Sequence, residues 1–195
     1  MKRLFDVLLS LMGLVAIGPI LAVIAVLIRL DSKGPVLYRG LRAGRWGRPF
    51  LILKLRTMVE DAEQLGGAET ASDDPRITRL GGFLRQYKLD EFPQLFNVLK
   101  GDMSLVGPRP EVLDEVACYS SQEQEVLRVR PGITDWASLR FHHEGEILRG
   151  SQDPHRTYHE KIQPEKLRLQ LEYVQHHSVL MDFWIICRTF HAIFE

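Results

Sequence analysis

The sequence predicts a mainly helical α/β protein: a re-entrant N-terminal membrane helix, a small β-hairpin, and amphipathic helices suited to an interface. Three observations carry this expectation. Residues 7–28 contain no charged side chain, which passes the roughly 20 residues a helix needs to cross a bilayer. Two short β-prone patches flank a segment rich in Gly and Arg, residues 40–49. Further on, apolar residues recur at helical spacing between Gly and Pro punctuation. With 195 residues, the chain can form one cored domain plus an appendage, divided here as 1–33 and 34–195.

The apolar run comes first. A secretory signal peptide is a poor fit despite Lys2 and Arg3, because the run is too long and no small-x-small cleavage pattern precedes Arg29. Gly18-Pro19 sits in its middle. Proline there removes a backbone donor and clashes with the preceding turn, so a kink or break is expected. Two halves of about ten residues are each too short to span. Basic residues also stand on both flanks: Lys2 and Arg3 before, Arg29, Lys33, Arg39 and Arg42 after. The positive-inside tendency then favours both flanks on the cytoplasmic face, and hence re-entry. A proline-kinked spanning helix is the alternative.

Lys plus Arg total 25 and Asp plus Glu total 25, so no global field draws in nucleic acid. The distribution is uneven, however: eight cations and one acid, Asp31, lie between Arg29 and Thr57. Cys118 and Cys187 lie far apart without metal-ligand spacing. They read as free thiols of a reducing compartment.

Strands are expected at Val36–Tyr38 and Phe50–Lys54, with Lys54 and Arg56 on one face because side chains two apart share a face. A helix should start near Val59, and an acidic loop should run from Gly66 to Pro75. Arg76, Arg79 and Arg85 then approach the acids that follow. Asp90 reads as the N-cap of a helix carrying Leu95, Phe96, Val98 and Leu99, closed by Lys100-Gly101. Gln163-Pro164 opens another helix with Leu167, Leu171 and Val174 inward. The stretch from Val179 to Phe194 suits either a core helix or one lying in the membrane interface.

Residues 88–110 concentrate the chemistry. Asp90 and Glu91 are adjacent carboxylates, Asp102 follows one short helix later, and Gly107-Pro108-Arg109-Pro110 forms a rigid turn. At a helix start, amides and dipole would keep Asp90 ionised and would welcome a phosphate. An ionised aspartate can attack phosphorus, and Glu91 could position a Mg²⁺. Taken alone, a capping Asp and a solvated Asp-Glu pair explain the same residues. Lys54, Arg56 and Arg109 could equally be surface or membrane-facing cations. His155 and His159 have an i, i+4 spacing that suits zinc, but no third ligand accompanies them in the sequence, so they read as exposed loop histidines. His142-His143 and His176-His177 are less informative still.

Together these motifs resemble the bacterial sugar transferase family, the monotopic phosphoglycosyl transferases, in its minimal form. The resemblance runs from Lys2-Arg3 and Pro19 through Lys54-Leu-Arg56-Thr57-Met58 and Asp74-Pro-Arg76-Ile-Thr-Arg79. It continues in Leu89-Asp90-Glu91-Phe-Pro93-Gln94, in Gly101-Asp102 to Gly107-Pro108-Arg109-Pro110, and in Arg130-Pro131-Gly132-Ile-Thr134. It implies transfer of a sugar-1-phosphate from a UDP-sugar to polyprenyl phosphate with loss of UMP, dependent on Mg²⁺, at the cytoplasmic face of the bacterial inner membrane. By motif, Asp90 is the nucleophile and Glu91 its metal-linked partner. Lys54, Arg56, Arg76, Arg85, Pro108, Arg109 and Pro110 bind the anionic substrates. Expected partners are the UDP-sugar, the lipid phosphate, membrane lipids and downstream glycosyltransferases, with a homodimer permitted. A non-catalytic membrane-surface protein that binds anionic lipids is the rival class. Many members continue Pro-Gly-Ile-Thr with Gly-Trp-Ala-Gln-Val-Asn-Gly. Here the segment reads Asp135-Trp136-Ala-Ser138-Leu-Arg140-Phe-His142-His143-Glu144, which leaves the sugar open.

Overall fold

A computed structural model describes residues 1–65 and 70–193. The apolar run forms a single helix, α1 (Lys2–Asp31), with Pro19 inside it. The helix-break-helix expected at Gly18-Pro19 is therefore corrected to one continuous helix. Proline costs one donor, but the bonded turns on either side persist, and apolar surroundings penalise further opening of the backbone.

α1 lies along the rest of the protein instead of projecting from it. Asp6, Ser10, Ile24 and Ile28 are buried on one stripe. Leu4, Leu8, Leu11, Val15, Val23, Val26 and Leu30 are exposed on the other. At its start, Lys2 Nζ donates to Asp182 at 2.5 Å and to the Val106 carbonyl at 3.1 Å. Arg3 donates to the Val98 and Leu99 carbonyls at 2.6 and 2.9 Å. Asp6 accepts from Ser104 Oγ at 2.9 Å. At its other end, Ile24 and Ile28 pack with Leu55 and Leu84. Both ends of one helix thus rest on the same body.

The hairpin is present and longer than expected. β1 (Leu37–Ala43) and β2 (Pro49–Leu55) are antiparallel, in register from Leu37↔Leu55 to Ala43↔Pro49. Trp46, at φ 62°, lies in the turn between them. Next come α2 (Ala62–Leu65) and α3 (Arg79–Gln86), the latter capped by Thr78 Oγ1, which accepts from Gly81 N at 3.0 Å. The helix expected from Val59 is thus short, and the expected acidic loop begins in residues outside those described.

α4 (Gln94–Lys100) ends at Gly101, whose φ of 99° is the left-handed conformation a helix terminus favours glycine for. α4 is joined to the hairpin through Asn97, which donates to the Leu51 carbonyl at 2.8 Å and accepts from Leu53 N at 2.9 Å. Phe50, Ile52, Val98 and Met103 form the core beneath this junction. Such a side chain satisfies edge-strand groups that would otherwise be stranded.

Two three-residue strands, invisible to periodicity, complete the frame. β3 (Ser104–Val106) pairs in parallel with β4 (Gly132–Thr134). Gly107 N donates to the Thr134 carbonyl at 3.0 Å and Gly132 N to the Pro108 carbonyl at 2.9 Å. This ladder ties the Gly-Pro-Arg-Pro turn to the Arg-Pro-Gly-Ile-Thr motif. A Cβ on Gly132 would stand 2.1 Å from Gly107 N, closer than any packing allows. Gly132→Ala should therefore cost several kcal/mol, read as a drop in thermal midpoint; an unchanged midpoint would contradict the backbone contact.

Around this frame lie α5 (Leu113–Ala117), α6 (Trp136–Arg140), α7 (Glu144–Leu148), α8 (Pro154–Lys161), α9 (Gln163–His176) and α10 (Val179–Ile193). α9 begins at Gln163-Pro164 as expected and buries Leu167 and Tyr173. α10 has a core face and an exposed apolar face. Asp182 and Ile185 are fully buried, whereas Leu180, Phe183, Trp184 and Phe190 are exposed. Arg188 stacks over Trp184 at 4.4 Å on that outer side.

Candidate active site

The dyad does not cap α4. Lys88 adopts a left-handed backbone at φ 54° and starts a 3₁₀ turn over Leu89–Glu91. Pro93 then occupies the N-cap position of α4. A non-glycine residue in the left-handed region costs roughly 1–2 kcal/mol. That turn buries both carboxyl groups, leaving Asp90 6 % and Glu91 9 % exposed. The expectation of Asp90 as N-cap is corrected accordingly. Its charge state is set by burial and nearby cations, not by helix amides.

The two carboxylates have opposite environments. Burial is the largest influence on Asp90 and pushes its carboxyl above the ordinary range; Lys54 opposes this and Glu91 adds to it. Burial also acts on Glu91, but Lys54, Arg109 and Lys88 together outweigh it and hold Glu91 well below the usual carboxylate range. Lys54 Nζ lies 2.8 Å and Arg109 Nη2 3.2 Å from Glu91 Oε1. Among the described residues, no hydrogen-bond partner reaches the buried Asp90 Oδ1. A buried acceptor normally finds a donor or an ordered water, so this oxygen is open to a further partner. Since both cations engage Oε1, Glu91 Oε2 and Asp90 Oδ1 remain as hard oxygen donors suited to Mg²⁺.

The remaining expected site residues divide into two groups. Lys54 and Arg109 meet at Glu91, and Pro108 and Pro110 stiffen the turn that presents Arg109. Arg85 donates to Thr57 Oγ1 at 2.9 Å; burial lowers its basicity, against attraction from Asp90, Asp74 and Glu91. Arg76 instead grips Asp74, at 2.7 Å from Nη2, and donates to the Ala62 carbonyl at 3.0 Å. Arg56 parts from Lys54 because β2 ends at Leu55. It donates to the Ser32 carbonyl at 2.8 Å, closing the C-terminal end of α1. Asp102 lies beyond the far end of α4, 3.2 Å from Lys100.

Two residues of the neighbourhood escaped sequence reading. Lys88 bears on both carboxylates, and its neighbourhood with the dyad was the only available signal. Glu144, at the end of the variant segment, accepts from Lys166 at 2.8 Å. Burial raises its carboxyl, but Lys166 and Arg109 outweigh that and lower it. The same carboxylate contributes, after Glu91, to raising the basicity of Arg109. Asp135 is fully buried, caps α6 by accepting from Ser138 N at 2.6 Å, and accepts from Gln170 at 3.2 Å. The variant segment thus builds one carboxylate into the core and brings another toward the site.

A carboxylate pair is thus held by fixed cations on a body that contacts both ends of an apolar helix. The bacterial sugar transferase profile matches residues 1–195, and the chain belongs to that family. It is 40 % identical over 195 residues to an undecaprenyl-phosphate glucose phosphotransferase of Komagataeibacter xylinus, covering 96 % of this chain and 35 % of that one. It is 50 % identical over 110 residues to a putative undecaprenyl-phosphate N-acetylgalactosaminyl 1-phosphate transferase of Bacillus subtilis, covering 56 % and 62 %. It is 38 % identical over 193 residues to a UDP-glucose:undecaprenyl-phosphate glucose-1-phosphate transferase of Caulobacter vibrioides, covering 96 % and 67 %. The chain spans about a third of the first relative's length and about three fifths of the second's.

Proposed function

We propose that this chain is a phosphoglycosyl transferase that moves a sugar-1-phosphate from a UDP-sugar to polyprenyl phosphate and releases UMP, so initiating glycan assembly for downstream glycosyltransferases. The observation that carries the reading is the buried, unpartnered Asp90 Oδ1 beside a Glu91 clamped by Lys54 and Arg109. An Asp90 oxygen attacks the β-phosphorus as the bond to the bridging oxygen breaks, and UMP departs with that oxygen. An oxygen of the lipid phosphate then attacks the same phosphorus, breaking the acyl-phosphate bond and restoring the carboxylate. Asp90 and Glu91 would hold Mg²⁺, which supplies charge neutralisation at the pyrophosphate when bound. Arg109 and Lys54 orient Glu91 and meet substrate phosphates, and Glu144, beside Arg109, is positioned to bear on sugar choice. A UMP-release screen over UDP-sugars with polyprenyl phosphate and Mg²⁺ tests the reading. Lipid binding without UMP from any donor would favour the non-catalytic rival.

The same reading has α1 enter the inner membrane and return to the cytoplasmic face by bending at Pro19 without a break in its hydrogen-bonded turns, with the rest of the chain on that face. Contacts at both its ends with one body support this, since a spanning helix separates its ends by the bilayer thickness. A cysteine placed just ahead of Met1, in a variant lacking Cys118 and Cys187, should resist a membrane-impermeant thiol reagent in intact spheroplasts. Labelling there would establish a spanning helix instead.

A further inference from the structure

His155 and His159 lie one turn apart on α8, not in a loop, and the fold supplies the third ligand the sequence lacked. Glu115 of α5 reaches them, and the nearest ligand atoms of the three residues all lie within 4.8 Å of one another. His159 Nε2 is 3.2 Å from His155 Nε2 and 3.2 Å from Glu115 Oε1. Gln163 fixes the proton on His159. Its amide nitrogen donates to Glu115 Oε2 at 3.0 Å, which turns its carbonyl oxygen to His159 Nδ1 at 2.5 Å. An amide oxygen only accepts, so Nδ1 carries the proton and Nε2 presents a lone pair. That lone pair faces a carboxylate oxygen and a second imidazole nitrogen. The arrangement forms a cluster of lone pairs that a metal cation would fill. Bonds of about 2.0–2.1 Å around tetrahedral zinc place neighbouring ligand atoms about 3.3 Å apart, close to the spacing found here. Gln163 also acts as the outer hydrogen-bond partner that ligating histidines normally have.

We propose that Glu115, His155 and His159 bind a divalent transition cation of the Zn²⁺ class, with solvent completing the coordination. Two imidazoles with one carboxylate select such an ion over Mg²⁺, so this site is chemically distinct from the dyad. Bound metal fastens α5, which begins three residues after Pro110, to α8. Tyr158 of α8 also donates to Glu111 Oε1 at 3.4 Å. The ion therefore braces the backbone immediately behind Arg109.

The test uses the full chain in detergent, stripped with a chelator and titrated with Co²⁺ and then Zn²⁺. One equivalent of Co²⁺ should give the intense visible absorption of a four-coordinate ion, displaced by Zn²⁺, and Zn²⁺ should raise the thermal midpoint. His155→Ala and Glu115→Gln should each weaken Zn²⁺ binding at least tenfold, and Gln163→Ala about tenfold. A His176→Ala/His177→Ala variant should bind as the parent does. His155 is exposed, so its alanine variant without metal should melt where the metal-free parent melts. Equal Zn²⁺ affinity in the parent and in a His155→Ala/His159→Ala variant overturns the proposal, as does a Co²⁺ spectrum indistinguishable from the hydrated ion.

Discussion

Asp90→Asn is expected to lower UMP release by at least about 10³-fold while leaving the protein as stable as the parent or more so. The two halves of this result come from one observation. Asp90 caps no helix and its Oδ1 has no partner among the described residues, so asparagine removes the proposed nucleophile without removing a hydrogen bond seen there. Burial also makes the charged carboxylate costly to fold, as its raised pKa records. A neutral side chain of the same shape relieves that cost, the usual exchange between stability and activity at a strained site. Intact-mass measurement should show a phospho-sugar adduct on the parent mixed with UDP-sugar alone, and none on the variant. Full release by a folded Asp90→Asn protein would sink the nucleophile assignment.

Lys54→Met should have the next largest effect, on stability and on pH dependence together. Lys54 is the largest cationic influence on both carboxylates. Removing it leaves Glu91 buried with Arg109 as its ion-pair partner among the described residues, at a cost of roughly 2–4 kcal/mol. Reaction requires Asp90 ionised. Because its folded pKa is raised, activity holds above that pKa and falls as pH drops through it, at a higher pH than for an ordinary aspartate near 3.9. Without the ammonium that opposes this rise, the acid limb of kcat/KM should move further toward neutrality. A limb that stays in place would show that Lys54 does not govern the ionisation of Asp90.

Much of the site was legible in the sequence because its parts are contiguous. Asp90-Glu91 and Pro108-Arg109-Pro110 are short motifs whose chemistry is local, and the hairpin was marked by β-prone patches on either side of Gly and Arg. The failures have physical causes. Asp90 was read as a cap because Asp before Pro resembles one. The left-handed Lys88 and the following 3₁₀ turn shift the N-cap by three residues, from Asp90 to Pro93. Local rules make Pro19 a breaker, whereas α1 runs unbroken through it, anchored on the body toward both ends through Asp6, Ser10, Ile24 and Ile28. β3 and β4 are too short for any periodic signal. Their pairing appears only in the mutual approach of Gly107 and Gly132. Glu115 lies 40 residues before His155, a separation that no spacing rule bridges.

The first turn of α1 has a consequence for how this protein can be handled. Arg3 supplies the donors that terminate α4, and Asp6 supplies the acceptor for Ser104 at the start of β3. Lys2 neutralises Asp182, a carboxylate with no exposed surface. Trimming the apolar segment to obtain a water-soluble fragment would therefore strip structural groups from α4, β3 and α10 in the same cut. The apolar helix is also masonry of the domain, and a fragment cut free of it would not keep this fold whole.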